Sequence, residues 1–161
     1  MAASSCPFCG RALLRTADVY FENAYCVYAS TRDPRDPPDV LPGSGVVVPI
    51  AHRASPFDFT PEEWVATREL LVEAKAAWDE RLAPDGYGLF WSPFPRADEL
   101  VQSMHAHLHV VPRFDDEPFA EHGGRSAIKV PENRRPDPWR RGSGRAQMFG
   151  RPTLPGFRKR P

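Results

Sequence analysis

The stretch 104-MHAHLHVVPR-113 places three of the chain's five histidines, His105, His107 and His109, at every second position. A period of two is that of a β-strand, whose side chains alternate across the sheet. The spacing predicts a strand over about 104–112 that ends at Pro112. His105, His107 and His109 share one face, and Ala106, Leu108 and Val110 share the other. Neighbouring imidazoles stand roughly 6.5–7 Å apart along such a strand. Three uses fit the pattern. All three rings can hold one metal whose open position activates water. They can divide the labour, one binding a metal, one attacking, one orienting the attacker. Or they can be polar residues on the wet face of a half-exposed sheet.

Working outward, the strongest helix signal is 60-TPEE-63. Thr60 is an N-cap, Pro61 sits at N1, and Glu63 completes a capping box. Trp64, Leu71, Ala74, Trp78 and Leu82, with Val65 and Leu70, then mark an apolar face that runs to Ala83-Pro84. Before it, 18-DVYFENAYCVYAS-30 reads as a hairpin with strands Val19–Phe21 and Ala24–Ala29 and a turn at Glu22-Asn23. Residues 31–45 form a loop broken by prolines and glycines. The run 46-VVVPI-50 is a short buried strand, and Pro49 puts its end near a sheet edge. After the helix, Asp85-Gly86 turns into a strand 87-YGLFW-91, and 92–100 is a loop. The order hairpin, strand, helix, strand, strand predicts an α+β domain with a largely antiparallel sheet of about five strands and one main helix packed on it.

At 161 residues the chain suits one domain with a real core. Its net charge is zero, but residues 125–161 hold eleven Lys/Arg against Glu132 and Asp137, a balance of +9, so residues 1–124 carry −9. Such a tail can dock on the body, on a partner or on a polyanion, or simply be solvated. No apolar run approaches membrane-spanning length, and the N-terminal residues lack a signal-peptide core. The expected compartment is the cytoplasm, where three cysteines argue for metal or reduced thiols rather than disulfides.

Cys6 and Cys9 form a Cys-x-x-Cys knuckle. For zinc it needs two more ligands, and His52, just after the 46–50 strand, with one histidine of the run, would complete a tetrahedron. That leaves two histidines for chemistry. His122 lies in a loop and reads as solvated.

The combination resembles the histidine triad (HIT) superfamily, whose motif is His-x-His-x-His followed by two apolar residues, here 105-HAHLHVV-111. The likeness runs over roughly 6–131 and includes CPFC at 6–9, 47-VVPIAH-52, 57-FDFTPEEW-64 and 123-GGRSAIKVP-131. It is greatest to the bacterial branch related to diadenosine polyphosphate hydrolases and nucleoside phosphoramidases. The resemblance implies a HIT-like nucleotide-binding domain over 1–131, followed by a basic Pro/Arg/Gly-rich tail at 132–161. It implies a homodimer with joined sheets, a nucleotide substrate cleaved at the α-phosphate, and no nucleic-acid or membrane partner. By the same resemblance His107 is the nucleophile that forms a nucleotidyl-imidazole, and His105 joins Cys6, Cys9 and His52 around a structural zinc. His109 supports the triad strand. Around the phosphoryl oxygens, His109, Gln102 and Ser103 are the candidate donors.

Two departures from the family pattern stand out. The Gly-rich, Asn-bearing segment before the triad is replaced by 87-YGLFWSPFPRADELVQSMH-105. There Gln102-Ser103 stands one residue short of the family's Gln-Ser/Thr pair. An Asp that holds ribose in many members is absent near 29-AST-31, leaving Ser30 or Thr31 as weaker partners. A nucleotide-binding protein with little turnover, or a metallohydrolase with its metal on all three triad histidines, are the alternatives.

Overall fold

A computed structural model describes Cys6, Phe8, Cys9, residues 19–30, 41–91, 105–118, 131–133 and Arg135. Its strands are β1 (Val19–Glu22), β2 (Cys26–Ser30), β3 (Gly45–Pro49), β4 (Gly86–Trp91) and β5 (Leu108–Arg113), with one long helix, α1 (Pro61–Leu82), between β3 and β4. The five strands form one sheet in the order β1-β2-β3-β5-β4, and every described pairing is antiparallel. This is the α+β arrangement expected. A 3-10 turn at Pro56–Asp58, not foreseen from sequence, leads into the helix.

The helix starts where its capping box says. Glu63 N–H donates to Thr60 Oγ1 at 3.3 Å, and Thr60 N–H donates to Glu63 Oε2 at 2.8 Å. It ends at Ala83, whose φ of 46° is left-handed, with its N–H on the Trp78 carbonyl at 3.2 Å. The buried stripe differs from the one expected. Ala66, Thr67, Leu70, Ala74, Ala77 and Trp78 face the sheet, whereas Trp64 is 44% exposed and Val65 58%. Small residues at 66, 74 and 77 let the helix lie close over β1, β2 and β3. Trp64 instead packs beside Phe59 and Trp91.

The hairpin also shifts. Asn23 Oδ1 accepts the N–H groups of Tyr25 and Cys26, which holds Ala24 and Tyr25 in the turn and delays β2 to Cys26. Asn23 also ties the turn to the helix by donating to the Ala66 carbonyl at 2.9 Å. Buried Tyr28 donates to the Gly43 carbonyl at 2.6 Å and accepts from Trp78 Nε1 at 3.2 Å, linking sheet, loop and helix. Gly45 is required beside the Tyr28 ring, because a Cβ there would come within 2.5 Å of that ring and of the Ala29 carbonyl.

β3 is the central strand, not an edge. Ile50 N–H donates to the carbonyl of Tyr25, just before β2, at 2.7 Å, so the backbone of the preceding residue, Pro49, faces β5. Proline has a carbonyl to offer there but no N–H. The β3–β5 ladder accordingly stops at the pair Val47–Leu108. The strand predicted over 104–112 is therefore regular only from Leu108, and His105–His107 enter it outside the ladder.

No helix among the described residues is long and apolar enough to cross a membrane. Past β5, Arg113 pairs with buried Glu117. Arg135 lies over the Phe114 ring at 3.9 Å and pairs with Asp116, so packed chain reaches beyond residue 131.

Candidate functional site

The segment His105–His107 is held by loop 49–53. His105 Nε2 lies 2.9 Å from the Pro49 carbonyl, and Ala106 N–H donates to the Arg53 carbonyl at 2.7 Å. A carbonyl only accepts, so His105 carries its proton on Nε2 and its lone pair on Nδ1. The Pro49 carbonyl, left outside the ladder, thus fixes the tautomer of a side chain.

Nδ1 of His105 points into a cluster. Cys6 Sγ and Cys9 Sγ each lie 3.5 Å from it, and Cys9 Sγ lies 3.1 Å from His52 Nδ1. The four candidate ligand atoms all fall within 4.8 Å of one another. A zinc tetrahedron with Zn–S about 2.3 Å and Zn–N about 2.0–2.1 Å has sulfur–nitrogen edges of roughly 3.5–3.6 Å. The donor set and its spacing fit zinc. Among the described residues this is the one metal-competent group of histidine, cysteine and acid. Burial, opposed by the Pro49 hydrogen bond and aided by neighbouring His52 and His107, lowers the His105 pKa to about 4, so the ring is neutral at pH 7. Burial, with the neighbouring Cys6 thiol, raises Cys9 to about 11.

His107 Nδ1 lies 2.8 Å from the His105 carbonyl. Nδ1 must therefore carry the proton, which puts the lone pair on Nε2. His107 and His109 rings meet at 4.9 Å, and His109, only 4% exposed, stacks on Phe90 at 4.5 Å with planes 6° apart. Phe8, inside the Cys6–Cys9 knuckle, lies 5.6 Å from the His105 ring and 5.3 Å from the His107 ring. Metal cluster and triad are thus one continuous patch.

Register sorts the other candidates. His109 pairs with Val46 and Phe90, on the face of the sheet opposite α1. Ser30 closes β2, pairs with Gly45, and alternates with Tyr28 toward the helix face. Trp91 pairs with Leu108 and likewise faces the helix side. Thr31, Gln102, Ser103 and His122 lie outside the described residues. Phe8, Phe90, Arg53 and the Pro49 carbonyl carried no sequence signal for the site. In the sequence Glu63 signals only a cap. Its carboxylate also binds Arg53 Nε at 3.1 and 2.9 Å; burial raises its pKa, but the Arg53 and Thr60 bonds outweigh this and the net shift is down.

No family model matches the sequence, and no curated protein matches it significantly. Solved structures do. A HIT family protein from Bacillus anthracis superposes with a TM-score of 0.57 at 22% identity, covering 71% of this chain and 77% of that one. A zinc-bound histidine triad family protein from Mycobacterium smegmatis gives 0.55 at 22%, covering 82% and 94%. The chain has the histidine triad fold. A histidine triad nucleotide-binding protein from Candida albicans matches it too, with a TM-score of 0.53 at 18% identity over 70% and 77% of the two chains. In this chain the run 105–109 leads into β5 and abuts the zinc-competent cluster.

Proposed function

We propose that this HIT-fold chain is a nucleotide hydrolase or nucleotidyl transferase that works through a covalent intermediate on His107. The observation that carries the reading is the bond from His107 Nδ1 to the His105 carbonyl, which orients the ring and leaves its lone pair on Nε2. Nε2 attacks the α-phosphorus of a dinucleoside polyphosphate or nucleoside phosphoramidate. The bond to the leaving group breaks with its electron pair, and the leaving group takes up a proton. The imidazole is then a nucleotidyl-imidazolium, its Nδ1–H held by the His105 carbonyl. Water adds to phosphorus and gives up a proton to solvent, the P–N bond breaks with its electron pair returning to Nε2, and the nucleotide leaves the neutral imidazole. His109, Gln102 and Ser103 are proposed to donate to the phosphoryl oxygens, and Ser30 or Thr31 to hydrogen-bond ribose.

Cys6, Cys9, His52 and His105 would hold zinc. With four protein ligands it would be structural, fixing the knuckle and the start of the triad segment. A metal shared by His105, His107 and His109 is disfavoured, because both nitrogens of His105 face other partners. Thiol ligands suit the reducing cytoplasm. Edge strand β4 exposes Leu89 by 53%, which supports pairing of two β4 edges in a homodimer. We take 1–131 as the nucleotide domain and 132–161 as the tail, whose first residues, through Arg135, pack on that domain.

A product assay over dinucleoside polyphosphates, nucleoside phosphoramidates and sugar nucleotides tests the reading, with His107→Ala as control. Retained turnover in that variant defeats it. The second reading, nucleotide binding with little turnover, is favoured by the missing acid at 29–31. It predicts saturable binding without product.

A further inference from the structure

Arg53 and Glu63 belong to neither the metal cluster nor the triad, yet they join the two to the helix. Glu63 is only 3% exposed. A capping box uses one carboxylate oxygen, on the Thr60 N–H. Here the same carboxylate also takes Arg53 Nε on both oxygens. Arg53 is thereby fastened to the first turn of α1. Its neighbour on one side is His52, 3.1 Å from Cys9 Sγ through Nδ1, and its own carbonyl holds the N–H of Ala106, between His105 and His107.

We propose that Arg53 and Glu63 are a positioning pair that sets His52 at ligand distance and holds the His105–His107 segment against the cluster. The physical need is specific to this fold. The segment lies outside the β3–β5 ladder because Pro49 has no N–H to give it, so the Arg53 carbonyl takes over a contact the sheet would make. If Arg53 drifts, Ala106 is released, and with it the His105 carbonyl that orients His107. The His107 half rests on the nucleotidyl-transfer reading; the metal half stands without it.

The test uses the full chain with Glu63→Gln, Arg53→Lys, the double variant, and Thr60→Ala as control. Glu63→Gln keeps a capping oxygen but loses the charge facing Arg53. Thr60→Ala weakens the cap and leaves the pair intact. Zinc affinity is measured by chelator competition. The rate of adduct formation on His107 is measured at saturating zinc, alongside nucleotide KM. Partners that orient metal ligands are worth about 10–100-fold in affinity. Glu63→Gln and Arg53→Lys should each weaken zinc about tenfold or more and slow the adduct comparably at unchanged KM. The double variant should be no worse than the worse single. Thr60→Ala should lower Tm with zinc affinity unchanged. Smaller losses of zinc affinity in the pair variants, or an equal loss in Thr60→Ala, overturn the proposal. If the wild type forms no adduct, the transfer reading fails, and zinc affinity alone decides the role of the pair.

Discussion

The backbone of His105 orients the ring of His107. The carbonyl of the first residue accepts from Nδ1 of the second at 2.8 Å, while the side chain of His105 faces Cys6 and Cys9. One residue thus serves the metal cluster with its imidazole and the proposed nucleophile with its main chain. His107→Ala should abolish the adduct and cut turnover on the order of 10³-fold or more, since a missing nucleophile is not replaced by its neighbours. Long-range proton–nitrogen NMR should show His107 protonated on Nδ1 and His105 on Nε2. The opposite tautomer at His107 would remove the basis for attack through Nε2.

Zinc binding should release protons, and the cluster says from where. Cys9 is raised to about 11 in the metal-free protein, so its thiol holds a proton at pH 7 that a metal must displace. His105, lowered to about 4, is already neutral and gives none. Calorimetric titration with zinc in buffers of different ionisation enthalpy should give a slope of at least one proton per site. A slope of zero would mean that Cys9 is not a ligand.

Much of this was legible because it is local. The period of two at 105–109 announced a strand, and 60-TPEE-63 announced a helix start to the residue. What escaped was non-local. The break of the ladder before Leu108 depends on Pro49 facing β5, a consequence of sheet order. The site role of Glu63 depends on Arg53, ten residues earlier, meeting it across the loop. Phe8 carries no signal in the sequence, and only the fold brings its ring to His107. Hydrophobicity alone puts Trp64 inward, but the sheet-facing stripe runs through Ala66, Leu70, Ala74, Ala77 and Trp78, its alanines permitting close approach.

The end of α1 holds avoidable strain. Ala83 sits at φ 46° and is exposed, so its methyl contributes conformational cost and little packing. Ala83→Gly should stabilise the protein by about 0.5–1 kcal/mol and raise Tm by ~2–4 °C. Zinc affinity should be unchanged, because the site lies at the other end of the helix. A lower Tm in differential scanning calorimetry would show that the left-handed cap is not where the strain lies.

The last prediction concerns acid. Burial, the largest cause, holds His105 at about 4 in the folded, metal-free chain against 6.5 when unfolded. Between those values the unfolded chain binds a proton that the folded one refuses. The stability His105 contributes is therefore complete above about pH 6.5 and is lost as pH falls toward 4, by about 3 kcal/mol in all. Denaturant unfolding of chelator-treated protein should show this decline in ΔG across that window. His105→Gln, which cannot titrate, should remove that part of the slope even if its absolute stability is lower. With zinc bound the decline should be steeper, because protons then compete for the thiolates and for both ligand histidines. If the metal-free wild type and His105→Gln fall with equal slopes between pH 6.5 and 4, His105 is not the group that takes up the proton.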